Sequence, residues 1–160
     1  MEAARSQTYF LYRSDAGRID APTWWRGTLL LVGIFAVLTV IWHLVEPYAD
    51  HDLNTTLLFS IAILFGNVYR LVYGFALIMI LISHYNLSAK RWRDIGRPAS
   101  FAGILPLLAC IAGALHWLEP RVAPALPHAI PVAADLALVI VFVWNVVELG
   151  GMSWQPRKGV

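Results

Sequence analysis

Residues 71–118 read LVYGFALIMILISHYNLSAKRWRDIGRPASFAGILPLLACIAGALHWL. Two runs without a formal charge, 71–89 and 98–118, flank a short block in which Lys90, Arg91, Arg93 and Arg97 surround Asp94. Crossing a hydrocarbon core about 30 Å thick takes roughly 20 apolar residues. Backbone groups in lipid must be bonded within their own segment, so each run is expected to be a helix. The stretch therefore reads as two membrane spans joined by a basic turn.

The rest of the chain follows the same pattern. Residues 27–45, GTLLLVGIFAVLTVIWHLV, form a third uncharged run, and about 132–147 form a fourth apolar run, which Asp135 interrupts near its start and Glu148 closes. Residues are 59% hydrophobic and only 14% charged, with a mean hydropathy of +0.63; soluble domains carry about 25% charged residues. The expected fold is an all-α integral membrane domain of four spans in chain order 27–45, 71–89, 98–118 and 132–149. Outside the spans, 1–26 is expected to be an interfacial segment, 46–70 and 119–131 external, 90–97 a short basic loop and 150–160 a tail. The apolar stretch 57–66 is too short to span; it either extends the second helix or lies at the interface. Cys110 is the single cysteine, which excludes an intrachain disulfide.

Charge sets the orientation. Arg5, Arg13, Arg18 and Arg26 precede the first span, the basic block follows the second, and Arg157 and Lys158 follow the fourth. Ten of the twelve bases thus fall on one side, opposite Arg121 and the acids Glu46, Asp50, Asp52 and Glu119. The positive-inside rule then places both termini and the basic block in the cytoplasm. Mixed charge over the first 26 residues, with no small-residue cleavage site after the first run, is unlike a signal peptide.

The basic block is either a solvated loop or an ordered turn. Asp94 could bond neighbouring bases, Gly96 and Pro98 could end one helix and begin the next, and Trp92 could anchor at the headgroup level. The segment KRWRDIGRPASF resembles the R-R-L-H-D-x-G-R-S signature of the bacterial inner-membrane family termed domain of unknown function 805. GRIDAPTWW, residues 17–25, resembles that family's G-R-x-x-R-x-x-F-W motif, and GGMSWQPRKG occupies the place of its C-terminal motif. Lys90, Trp92, Arg93 and Pro156 depart from the usual residues. The resemblance implies a small multi-pass inner-membrane protein without an established activity. It also implies one cytoplasmic interface motif made of Gly17, Arg18, Lys90, Arg91, Arg93, Asp94, Gly96, Arg97 and Arg157.

A second pattern is a repeated H-x-x-E-P, at His43–Glu46–Pro47 and His116–Glu119–Pro120. His and Glu three apart share a helix face. Two such pairs could ligate a divalent metal, and the histidines could serve as axial ligands of a haem. The simpler reading is polar residues and a proline marking a helix end; no cofactor is predicted. Ionisable residues within spans need partners. Arg70 and Asp135 lie at similar depth toward the outer ends, and so form an expected pair; His84 and Glu148 are level at the inner ends. Ala109 with Gly113, and Ala133 with Ala137, permit close helix approach.

No nucleotide-binding glycine loop, Ser-His-Asp set or zinc-type cysteine spacing occurs, and the basic block is too short for a nucleic-acid site. The leading reading is a non-enzymatic membrane protein that organises anionic lipid or protein partners, including copies of itself, through its basic face. The alternatives are a small oligomeric transporter or channel, and a metal- or haem-binding redox protein. The orientation is testable: a cysteine at Asp50 is expected to react with an impermeant thiol reagent in intact cells, and one at Arg93 is not. The reverse labelling overturns it.

Overall fold

The computed structural model describes residues 2–49, 61–122 and 126–151. Regular structure there is helical throughout: α1 (Glu2–Tyr12), α2 (Ala21–Ala49), α3 (Ile61–Asp94), a 3-10 turn (Ala99–Gly103), α4 (Ile104–Leu118) and α5 (Ala129–Leu149). Four helical segments, Ala21–Tyr48, Ile61–Asp94, Ala99–Leu118 and Ala129–Leu149, are long and apolar enough to cross a membrane. The chain is an all-α, four-span membrane protein.

The helices outrun the apolar runs that announced them. At 1.5 Å per residue, the 34 residues of α3 reach about 50 Å, well beyond a hydrocarbon core. Residues 61–66 belong to α3, so that part of the short apolar stretch extends the second span; 57–60 lie outside the described residues. At its other end α3 runs on through Lys90 to Asp94, which corrects the expected loop: only Ile95 to Pro98 form the connection. Helix α2 starts at Ala21, six residues before the apolar run, and continues past Pro47 to Ala49. Near a helix end proline removes one backbone bond without interrupting a long run of them, so Pro47 does not end this helix. Pro120 does follow the end of α4.

Local chemistry explains both ends of the basic connection. Gly96 adopts φ 75°, a left-handed conformation that side-chain-bearing residues rarely take. The Arg97 N–H bonds the Trp92 carbonyl at 2.9 Å and the Gly96 N–H bonds the Arg93 carbonyl at 3.1 Å. This double bond pattern closes the helix, and Pro98 directs the chain away from it. At the start of α2, Asp20 Oδ1 accepts the Thr23 N–H at 3.0 Å. Those bonds to Thr23 hold the Asp20 carboxyl below the usual carboxylate range, as suits an N-cap. Gly17, at φ 95°, turns the chain between α1 and α2 where any Cβ would meet the Phe10 ring at 2.8 Å.

Burial is concentrated at one end of the bundle. Ile19, Trp24, Leu31, Leu87, Ala89, Trp92, Ala102 and Leu149 form the apolar core. Trp92 is fully buried against Phe101 and Trp144, at ring-centroid distances of 5.4 and 5.0 Å. It is a core residue rather than the headgroup anchor that the sequence had indicated. Helix α2 packs along α3, with Trp42 stacked on Tyr73 and the Tyr69 hydroxyl bonded to the Leu38 carbonyl at 2.8 Å. Helices α4 and α5 form the second hairpin. Within α4 the buried small residue is Ala112; Gly113, expected at the helix contact, faces open space. Packing at Gly150 is the opposite, because a Cβ there would meet the Trp25 ring at 2.9 Å. Gly150→Ala is therefore expected to cost about 1–3 kcal/mol through overpacking, while Gly113→Ala gains roughly 0.5–1 kcal/mol from helix propensity. Thermal unfolding of the two purified variants checks the sign of each.

Candidate functional site

Helix ends meet at the basic end of the bundle. A helix leaves its last four carbonyls without intrahelical donors, and α1 and α5 both terminate against the last turns of α3. Lys90 Nζ donates to the Leu11 carbonyl at 3.0 Å, to the Ser14 carbonyl, and to the Asn86 carbonyl at 3.4 Å. Asn86 Nδ2 donates to the Tyr12 carbonyl at 2.8 Å. Phe10 covers the ammonium, its centroid 4.8 Å from Nζ. Together, Lys90 and Asn86 cap the C-terminus of α1 from a different helix. Lys90 has no solvent-accessible surface.

Arg91 does the same for α5. Its Nε donates to the Leu149 carbonyl at 2.9 Å, while Nη1 bonds the Asp94 carboxylate. Trp25 Nε1 takes the next carbonyl, that of Gly150, at 3.2 Å. Cations at helix C-termini also face the negative end of the helix dipole. Arg93 reaches back to Asp15, bonding its carbonyl and, at 3.0 Å, its carboxylate. Arg97 pairs with Glu148 at 3.6 Å and lies over the Trp92 ring at 6.0 Å. Each of the four bases thus ties α3 or its turn to another segment, and Asp94 orients the buried guanidinium among them.

This arrangement brings together Lys90, Arg91, Arg93, Asp94 and Arg97 of the sequence-derived motif, with Gly96 making the turn. Arg18, following Gly17, stands exposed on the α1–α2 connection. Arg157 lies outside the described residues. Three participants escaped the sequence reading: Asn86, Asp15 and Glu148 as the partner of Arg97. A polar Asn inside an apolar run was the available signal for the first. Nothing in the pattern distinguished the other two, and Glu148 had been placed level with His84 instead.

The opposite end is wired differently from expectation. Asp135 accepts His116 Nε2 at 2.8 Å, and Arg70 lies over the Trp42 ring at 5.6 Å, so the expected Arg70–Asp135 pair gives way to two other contacts. Depth alone had matched those charges, whereas packing faces α4 toward α5 and α3 toward α2. The two H-x-x-E-P segments are not equivalent. His43 and Glu46 approach each other within α2 at 3.5 Å, but Glu119 bonds His128 across the α4–α5 connection. Among the described residues no three His, Cys, Asp or Glu side chains gather where they could hold one metal ion.

The chain matches no family model, no curated protein and no solved structure.

A buried ammonium holding three carbonyls has a clear mutational signature. Hydrogen bonds to charged groups contribute about 1.5–3 kcal/mol each. Lys90→Met keeps the apolar stem and removes the bonds, so it is expected to cost about 2–4 kcal/mol. It should also release α1, which limited proteolysis between residues 12 and 20 detects. Unchanged cleavage there would show that α1 is held without the ammonium.

Proposed function

We propose that the chain is a multi-pass protein of the bacterial inner membrane, with both termini cytoplasmic, that engages anionic lipid headgroups through its basic end without catalysing a reaction. The observation that carries this reading is a division of labour among the bases. Lys90, Arg91, Arg93 and Arg97 are spent inside the fold, while Arg13, Arg18 and Arg26 are exposed around the α1–α2 connection. Beside them α1 offers Tyr9 and Phe10 to the surroundings. Aromatic rings and arginines at one level are the equipment of a helix lying in the headgroup layer.

Arginine suits the purpose, because its forked donors bind phosphate oxygens in pairs and its charge persists at any physiological pH. The ten-to-one distribution of bases supports the cytoplasmic placement. The resemblance of Gly17-Arg18 and of KRWRDIGR to motifs of domain of unknown function 805 supports the bacterial inner membrane. On this reading the stapled core is the scaffold, and the lipid-facing residues are those the staple leaves outward.

Each base near a charged membrane surface contributes about 1 kcal/mol. Replacing Arg13, Arg18 and Arg26 by Gln is therefore expected to weaken the preference for anionic over zwitterionic lipid about 100-fold. Thermal stability in detergent should stay within about 1 kcal/mol of the parent. Native mass spectrometry of protein extracted from mixed-lipid nanodiscs measures the retained lipid. An unchanged preference in the triple variant overturns the proposal.

A further inference from the structure

The interface between α2 and α3 has a register that can be read from its contacts. Trp24 Nε1 donates to Ser88 Oγ at 3.3 Å, the Thr39 and Tyr73 hydroxyls lie 3.0 Å apart, and Arg70 lies over the Trp42 ring. Each step forward along α2 is matched by an equal step back along α3, from 24 with 88, through 39 with 73, to 42 with 70. One helical turn beyond the Trp24–Ser88 contact, this register sets Thr28 level with His84. Both residues carry a buried polar atom without a hydrogen-bond partner, Thr28 Oγ1 and His84 Nδ1. Thr28 as a whole is only 4% exposed.

Buried polar atoms in folded proteins almost always have partners, because an unmet donor or acceptor loses its hydration and gains nothing. Two such atoms at one level of a helix pair within a membrane span call for a small polar partner. Thr28 Oγ1 can donate or accept, and a neutral histidine nitrogen can accept or donate according to tautomer. A water molecule satisfies both, and two to four polar partners are what a buried water requires. Close by, Leu31 one turn farther along α2 is buried, and Leu87 packs against Gly27. An ionisable side chain inside a span marks a functional position by default. Among the described histidines His84 is the one so placed, since His43, His116 and His128 all pair with carboxylates at the opposite end.

We infer that Thr28 and His84 form an intramembrane water-binding site in the α2–α3 interface, with the bound water bridging Thr28 Oγ1 and His84 Nδ1. The inference is independent of the lipid-binding reading, since it involves none of the exposed arginines. It makes the two residues energetically coupled through a molecule that neither holds alone.

The test combines a double-mutant cycle with a spectroscopic readout on the full chain in detergent. Thr28→Val and His84→Leu should each lower the melting temperature, and the double variant should fall no farther than the worse single, because removing both groups leaves no orphan. Thr28→Ser, which keeps the hydroxyl, should melt like the parent. In histidine labelled with nitrogen-15, the Nδ1 resonance of His84 should shift in Thr28→Val and not in Thr28→Ser. Additive melting shifts, or an Nδ1 resonance indifferent to Thr28→Val, overturn the site. Should His84→Leu fail to fold, the resonance comparison between the Val and Ser variants decides alone.

Discussion

A helix that ends inside a membrane domain leaves its last carbonyl groups with little water to bond, and here side chains of α3 replace that water. Lys90 and Asn86 receive the end of α1, and Arg91 receives the end of α5. The energetic logic is reciprocal. Buried cations are costly unless hydrogen bonds and opposite charge surround them, and unmet carbonyls at a helix terminus are costly in the same environment. Bringing the two together removes both penalties, and each helix dipole points its negative end at the cation. Asp94 then balances the charge of Arg91 from the same helical face, three residues away.

From this contact the uneven packing of the bundle follows. Segments converge where the cations hold them, and the apolar core of Trp24, Leu87, Trp92, Ala102 and Leu149 fills the space beneath. Trp92 is central because it sits between the staples: its ring meets Phe101 and Trp144, and Arg97 covers it. Farther along, α2 and α3 stay together through aromatic and hydroxyl contacts such as Trp42 with Tyr73 and Thr39 with Tyr73. Such contacts suit a membrane domain, where lipid competes on equal terms for apolar surface and helices associate through packing and interhelical hydrogen bonds.

How much of this was legible in the sequence depended on which physical rule was at work. Span number and helix type follow from apolar length, because lipid enforces them on every residue of a run. The stop at Gly96-Arg97-Pro98 was legible for a local reason: left-handed backbone at a helix C-terminus favours glycine. Helix ends were misjudged wherever a polar residue was assumed to lie outside a helix. Lys90 to Asp94 are helical because their side chains have internal partners, and those partners come from residues up to 79 positions away. Pairing across helices was equally hidden. Asp135 goes to His116 because α4 faces α5, a choice set by tertiary packing that leaves no mark on hydropathy. The basic block at the end of α3 stood out in the sequence, yet its partners Asp15 and Glu148 did not, since a lone acid in a polar segment looks solvated.

Charge bias and structural stapling draw on the same side chains, and that overlap limits what the bias can mean. A base contributes to orientation by its charge alone, whether it faces lipid or protein, so all four bases of the α3 end count equally toward topology. They do not count equally toward binding. Lys90, bonded to three carbonyls and without accessible surface, has no donor left for a phosphate, and Arg91 divides its donors between Leu149 and Asp94. Arg93 and Arg97, partly exposed, each have a carboxylate beside them that offsets their charge toward an anion. A count of bases at this end therefore overstates its attraction for anionic surfaces. Among the bases whose side chains are described there, only Arg13, Arg18 and Arg26 stand exposed, and of those seven bases these three are the ones left free to meet an anionic surface.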